Sequence, residues 1–385
     1  MGGQTSNLNK TPEPVDPVKP IKKTTFLKMN TFGAQYPPLL SKNKKEIKEV
    51  LARQEVKNQI KSEGNAPKIK KSIYSSKSFG CIKSYGINSF KGYFKRENED
   101  RVSVIINIAK PKNVDKKWPN HLSYFGLFDG HGGNKCCDFL VNNFHKYLIK
   151  SSNFPNHIEK ALSDAFIKSE SEFLNTYAIG ENNELLDRSG SCGLVTIISD
   201  QMCYIANVGD SRAVLSCMNG KDVIQLTNDH KPNSEKEKKR IKKNGGVVYK
   251  TNPLETIYRV IPGNLSVSRT VGDAEVKIPF YGGKERVIIS TPEITKFKID
   301  ENKFDFLLMG CDGIFDKSDN VDIIDNIFHS LDENECDLHV TSGKCADSVI
   351  KFALNNNSQD NLSAIIISFS PFENLINKNK TLHNF

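Results

Sequence analysis

The sequence predicts an α+β fold built on antiparallel sheets. Two observations carry that expectation. Strand-like and helix-like stretches come in groups, not in the strict βαβ alternation of a parallel sheet. Many of the strand-like stretches also begin or end at Gly, Asp or Asn, the residues that close turns. Composition adds a third: 385 residues, 37% hydrophobic and 26% charged, suit one large core plus a polar extension.

Taken in order, residues 1–40 are rich in Pro, Lys, Thr and Asn and lack periodicity, so they are expected to have no fold of their own. Lys44–Lys61 spaces Ile47, Val50, Leu51 and Val56 as a thin-faced amphipathic helix, which Gly64–Pro67 ends. From about Phe79 the texture changes. Strands are predicted at Ser103–Ala109, Ser123–Phe128, Gly193–Ile198, Met202–Val208, Ala213–Ser216, Phe304–Met309 and Leu362–Phe369. Helices are predicted at Lys135–Lys150, where Cys136, Leu140, Phe144, Tyr147 and Leu148 share a face, and at His157–Tyr177, where Ile158, Leu162, Ala165, Phe166 and Phe173 do. Ser234–Asn244 reads as a charged helix with Ser234 at its N-cap and Gly245-Gly246 as its stop. Two more helices are expected near Asn320–Leu331 and Thr341–Leu354. No internal repeat is present. The expected division is an extension over 1–78, a folded domain over 79–370 and a short tail over 371–385.

Charge is unevenly placed. The net charge is +9, yet residues 1–78 hold 16 Lys and Arg against 6 Asp and Glu, leaving the rest of the chain at −1. The basic excess belongs to the extension, and the folded part has no nucleic-acid signature. No apolar run approaches the roughly 18–20 residues of a membrane-spanning helix, and the first residues lack the central apolar stretch of a secretory signal. The nine cysteines form no CxxC pair, and Cys192, Cys203 and Cys311 sit in apolar segments as small core residues. A reducing cytosol is the expected compartment. Met1-Gly2-Gly3-Gln4-Thr5-Ser6 fits the pattern for acylation of Gly2 with myristate. One acyl chain binds a membrane only marginally. The basic extension supplies a second attraction to anionic lipid, so a cytoplasmic protein that visits the cytosolic face of a membrane is expected.

Four acidic clusters carry the chemistry: Glu99-Asp100, Asp129-Gly130-His131-Gly132-Gly133, Cys311-Asp312-Gly313-Ile314-Phe315-Asp316 and Asp360-Asn361. Asp129 follows the apolar strand Tyr124–Phe128, and Asp312 repeats the design after Phe306–Met309. Glu99-Asp100 and Asp360-Asn361 each immediately precede a strand. An Asp-Gly turn alone is common, but four carboxylate clusters at strand ends point to one pole of a sheet structure. Like charges gathered there need a counter-ion, and hard oxygen ligands select Mg²⁺, Mn²⁺ or Ca²⁺. The glycines beside Asp129 let backbone carbonyls approach such a cation.

The order and wording of these segments resemble the PP2C (PPM) family of metal-dependent Ser/Thr protein phosphatases. The resemblance runs through Phe125–Gly133, Ala206–Val214, Asp229-His230-Lys231-Pro232, Leu265–Arg269, Gly272-Asp273, Thr291–Ile294, Asp312–Asp316 and Asp360-Asn361, and covers about residues 79–370. It implies a four-layer α-β-β-α sandwich of two antiparallel sheets flanked by antiparallel helix pairs, with 79–370 as the phosphatase domain. It implies that Asp129 bridges two Mg²⁺ or Mn²⁺ ions. Glu99 or Asp100, the Gly130 carbonyl, Asp312 and Asp360 would complete the shell, and Asp210 and Asp316 match a weaker third site. The nucleophile is then a metal-bound water, and His131 matches the general acid for the leaving oxygen. The phosphate-binding cation falls on Lys95 by register or on Arg96 by its bidentate chemistry. Arg269 and Asp273 flank a segment leading to a variable flap at Lys277–Val287. Cys192 stands where the family usually has threonine. Phosphoproteins are the implied substrates and a monomer the expected state. The rival readings are a catalytically weak PP2C-like scaffold and a membrane-docking adaptor. Retention of Asp129, Asp312 and Asp360 argues against the first.

Overall fold

The computed structural model describes residues 68–112, 115–252, 256–332, 335 and 337–382. Gly2 and the helix expected at Lys44–Lys61 lie outside the described residues.

Two antiparallel sheets face each other. The six-stranded sheet runs β1 (Ile73–Tyr74), β2 (Ser84–Phe90), β16 (Leu362–Ser368), β15 (Phe304–Gly310), β9 (Arg212–Cys217), β10 (Asp222–Gln225). The five-stranded sheet runs β14 (Glu293–Lys298), β8 (Met202–Val208), β7 (Gly193–Ser199), β4 (Leu122–Phe128), β3 (Arg101–Ile105). Outside the five-stranded sheet lie α1 (Lys135–Lys150) and α2 (Ile158–Phe173). Between β10 and β14 the chain makes an excursion containing α3 (Glu235–Lys243), the hairpin β11 (Val247–Tyr249) and β12 (Arg259–Ile261), and α4 (Ala274–Lys277). The one-turn helix α5 (Asp312–Phe315) follows β15, and α6 (Asn320–His329), α7 (Leu338–Asn355) and α8 (Ser370–Leu382) cover the six-stranded sheet. This is the four-layer sandwich.

Strand alternation explains the two cores. In β4, Phe125 and Leu127 face the other sheet while Tyr124 and Phe128 face α1 and α2. Both faces are therefore dry, and the strand reads as a nearly continuous apolar run. β7 repeats this with Leu194 and Ile198 inward and Val195 and Ile197 outward. On the helix side, Phe144 of α1 meets Phe166 of α2 edge to face, with ring centroids 4.7 Å apart, a geometry that adds to the area it buries.

Some elements differ from expectation. The regular part of the second helix stops at Phe173, and a π-turn, Leu174–Ala178, finishes it, with Tyr177 stacked on Phe173. The strand expected at 103–109 spans Arg101–Ile105. The folded body also runs past both ends of 79–370. β1 pairs with β2, and α8 buries Phe372 against Phe306 with ring centroids 5.2 Å apart. Ser234 occupies the N-cap of α3 without a side-chain hydrogen bond to it.

The excursion has its own small core of Ile241, Val260, Val276, Val287 and Ile288. Glu237 anchors it. This buried carboxylate accepts from Arg269 Nη2 at 2.7 Å, Arg240 Nη2 at 2.6 Å and Ser268 Oγ at 2.6 Å. Burial opposes its charge, but Arg269, Ser268 and Arg240 hold the carboxyl down at about 2 from an ordinary 4.5. A folded value below the unfolded one stabilises above pH 4.5, and that stability is lost as pH falls toward 2. Glu237→Gln should therefore lower the unfolding free energy by about 3 kcal/mol at pH 7, measured by urea titration. The gap to wild type should narrow as pH drops below 4.5. A constant gap would mean the carboxylate's charge is not the stabilising feature.

Sheet register gathers the strand ends. β3 pairs with β4 so that Arg101 faces Phe128, which puts Asp100 opposite Asp129. β7 pairs with β8 so that Gly193 faces Val208, which brings Cys192 beside the Gly209-Asp210 turn. β15 pairs with β9 so that Gly310 faces Arg212, and with β16 so that Gly310 faces Ala364. In an antiparallel pair the end of one strand lies at the same pole as the start of the next. Hence Asp100, Asp129, Asp210, Asp312 and Asp360 converge from five turns.

Candidate metal centre

Asp129 is the hub. Carboxylate oxygens of Asp129, Asp210 and Asp312 lie within 4.8 Å of one another, as do ligand atoms of Asp100, Asp129 and Cys311. Three charges so close repel. Burial, then Asp100, Asp210 and Asp360, pushes the Asp129 carboxyl well above the usual range. Burial, then Asp129, Asp210 and Asp316, does the same to Asp312. Asp100 is pushed up to about 6, first by burial. A divalent cation removes this conflict by supplying the missing positive charge.

The residues fit such a cation. Asp100 Oδ1 is buried without a hydrogen-bond partner while Oδ2 accepts from Ser363 Oγ at 2.7 Å. An unsatisfied buried carboxylate oxygen costs on the order of 1–3 kcal/mol unless something pairs with it. Gly130 lets the loop after Asp129 pack closely against its neighbours: a Cβ there would stand 2.5 Å from Cys137 Sγ and 2.7 Å from the Glu99 carbonyl oxygen. The Cys311 thiol donates to the Asn361 carbonyl at 3.4 Å, and the other donors, carboxylate and carbonyl oxygens, suit Mg²⁺ or Mn²⁺.

The other expected ligands sit around this hub in distinct ways. Glu99 Oε1 accepts from the Gly133 N–H at 2.8 Å, bracing the loop after Asp129. Asp360 lies at the mouth, 2.5 Å from Lys95 Nζ. Asp316 is more exposed and pairs at 3.7 Å with Lys231 Nζ. Asn361 ties the entry loop to the site, accepting from Glu99 N at 2.9 Å and donating to the carbonyls of Lys91 and Glu97. Cys192 stitches two turns together: its N–H donates to the Asp129 carbonyl at 2.8 Å and its thiol to Asp210 Oδ1 at 3.3 Å. Arg212 is structural, gripping Asp229 through two nitrogens at 3.0 and 2.7 Å.

Two cations flank the centre. Lys95 is half-buried and carries the Asp360 pair, whereas Arg96 is exposed. Burial works against the Lys95 charge, but Asp360, Asp312 and Asp129 outweigh it and hold the ammonium more firmly protonated. Lys231 has no role in the sequence reading, yet its ammonium sits between Asp210 and Asp316. Burial again opposes charge there, and the carboxylates win. Lys231 and Asp210 are 21 residues apart, so local spacing gives no hint of the pair. The flanking motif was the only available signal. His131 lies two residues past Asp129, with Nε2 2.9 Å from Asp273 Oδ1.

Facing antiparallel sheets with helices outside and a carboxylate pocket at one pole define an α-β-β-α sandwich with an acidic cluster able to bind metal. Comparison narrows the class. The chain belongs to the protein phosphatase 2C family, whose sequence profile matches residues 86–362. A protein of Arabidopsis thaliana named probable protein phosphatase 2C 27 is 34% identical over 249 residues, 65% of this chain and 59% of that protein. Protein phosphatase 2C homolog 2 of Hypocrea jecorina is 31% identical over 293 residues, 74% of this chain and 62% of that one. The chain thus spans about six-tenths of these relatives. Among solved structures, a phosphatase from Toxoplasma gondii shares the fold with a TM-score of 0.60 at 23% identity, covering 78% of this chain and 96% of that one. A C. elegans sex-determining protein does so with a TM-score of 0.60 at 21% identity, covering 81% and 68%.

Proposed function

We propose that the protein hydrolyses phosphoserine and phosphothreonine in proteins with the help of two Mg²⁺ or Mn²⁺ ions. The observation that carries this reading is the Asp129, Asp210 and Asp312 cluster, with ligand atoms within 4.8 Å, flanked by a cation and a histidine. Family membership supports it. Divalent ions held by Asp129, Asp100, Asp312, Asp360 and the Gly130 carbonyl would supply charge neutralisation and an activated water. Around them, Lys95 binds a phosphate oxygen and holds the monoester against the pocket. His131 hands a proton to the seryl or threonyl oxygen as its bond to phosphorus breaks, so that oxygen leaves as an alcohol. A weaker third ion at Asp210 and Asp316 would have to displace the Lys231 ammonium. Among the described residues no helix is long and apolar enough to cross a membrane, and any membrane visit rests on the extension.

The test is direct. The purified protein should hydrolyse p-nitrophenyl phosphate and a phosphothreonine peptide with Mn²⁺ or Mg²⁺ present. EDTA should stop both reactions, and restored metal should recover them. Turnover that survives chelation would remove the metal from the mechanism. A protein inactive at every metal concentration would favour the scaffold reading.

A further inference from the structure

A three-stranded miniature sheet sits beside the metal centre, and every strand in it is two residues long: β13 (Val271–Gly272), β6 (Gly190–Ser191) and β5 (Gly130–His131). Its central strand is β6. His131 faces Gly190 from one side and Gly272 faces it from the other. So short a sheet adds little stability. Its consequence is positional: it fixes His131 and Asp273, which lie 142 residues apart in sequence, against each other.

The contact is close and double. His131 Nε2 lies 2.9 Å from Asp273 Oδ1 and 3.0 Å from Oδ2. The Asp273 side chain is only 4% exposed. Gly190 makes the room, since a Cβ there would stand 2.1 Å from Asp273 Oδ2 and 2.5 Å from His131 Nε2. No side chain fits at that position without breaking the pair. Asp273 itself adopts a left-handed backbone, φ +56°, a conformation costing about 1 kcal/mol or more outside glycine. Surrounding bonds impose it. Asp273 N–H donates to the Ser189 carbonyl at 3.0 Å. Glu170 of α2 accepts from Gly272 N–H at 2.8 Å and from Lys277 Nζ at 2.5 Å, clamping the segment on both sides of Asp273.

We propose that Asp273 is the positioning residue for His131: it binds Nε2–H, fixes the plane of the ring and leaves Nδ1 as the nitrogen that serves the leaving oxygen. A carboxylate on one imidazole nitrogen sets the tautomer and stabilises the cationic ring, while the other nitrogen meets the substrate. In the balanced step, water oxygen bonds to phosphorus, both water protons stay with the inorganic phosphate, and the ester P–O bond breaks. Its electron pair stays on the alcohol oxygen, and the Nδ1 proton moves to that oxygen. Asp273 takes no proton. The inference rests on His131 being the proton donor of the proposed reaction.

The experiment is a leaving-group series, 2,4-dinitrophenyl, p-nitrophenyl and phenyl phosphate, at saturating Mn²⁺. It compares wild type, His131→Ala, Asp273→Asn and the double variant. Asp273→Asn should lower kcat for phenyl phosphate by about 10- to 100-fold, leave the dinitrophenyl ester within about threefold and barely move KM. The double variant should be no slower than His131→Ala alone. Uniform slowing by Asp273→Asn, or additivity with His131→Ala, would overturn the role of Asp273 while leaving His131 intact. Uniform slowing by His131→Ala would instead remove His131 as the acid, and Asp273's role with it. Should the Asn variant not fold, ¹⁵N-histidine spectra of the wild type decide. They should show His131 with its proton on Nε2, and an Nδ1–H neutral tautomer would refute the assignment.

Discussion

Asp129→Asn should abolish phosphate-ester hydrolysis, by about 10³-fold or more, and yet make the metal-free protein more stable. The first effect follows from its place as hub, shared by both groups of close ligand atoms. The second follows from repulsion. Burial and the charges of Asp100, Asp210 and Asp360 all disfavour the Asp129 carboxylate, so a neutral isostere relieves a conflict that folding otherwise has to carry. At pH 7.5 in EDTA the variant should melt roughly 3–8 °C above wild type. With millimolar Mn²⁺ the order should reverse, because only wild type gains the free energy of ion binding. Thermal melts with and without metal check this crossing. A variant less stable than wild type in EDTA would show that Asp129 is held by bonds and not strained by neighbours.

Lys95→Met should lower kcat/KM for phosphomonoesters by about 10²-fold and weaken inhibition by inorganic phosphate, whereas Arg96→Met should stay within about twofold. The sequence left two cations open, and the ion pair with Asp360 favours Lys95. Lys95 Nζ lies 2.5 Å from Asp360 Oδ1, at the mouth of the carboxylate pocket, and Arg96 is exposed. An ammonium there attracts phosphate as a compact point charge. Without it the approaching dianion meets uncompensated carboxylates. Lys95→Arg should retain most activity, since it keeps the charge. Steady-state kinetics and phosphate inhibition constants on the three variants decide, and a larger loss from Arg96→Met than from Lys95→Met would reverse the assignment.

The elements that were easiest to read share one property: their pattern is set by one or two broad apolar faces. Lys135–Lys150 matches the expected helix end for end, and Met202–Val208 the expected strand, because each buries large side chains at helical or strand spacing. β2 shows why others escaped. Its sequence, Ser84–Phe90, places Ser84, Gly86 and Asn88 on one face, and that face is buried. It packs so tightly on α7 that a Cβ on Gly86 would stand 2.0 Å from the Ser342 carbonyl oxygen. Small residues make this close approach, so the strand lacks the apolar alternation that marks β structure. β14 is an edge strand with most of its residues partly open to solvent, and partial burial leaves little pattern.

The site divides in the same way. Asp100, Asp129, Asp210, Asp312 and Asp360 were legible because each sits next to a strand, and strand ends in antiparallel sheets meet at common poles. The primary structure alone therefore determined the chemistry of the pocket: hard carboxylates, adjacent glycines, and a histidine next to the central aspartate. Tertiary packing decided which cation faces the pocket, that Lys231 lies between Asp210 and Asp316, and that Asp273 holds His131. These pairings join residues far apart in the chain, from 21 residues for Lys231 and Asp210 to 142 for His131 and Asp273, and farther still for Lys95 and Asp360. Charge attraction depends on distance in space, and sheet register, not spacing along the chain, sets that distance.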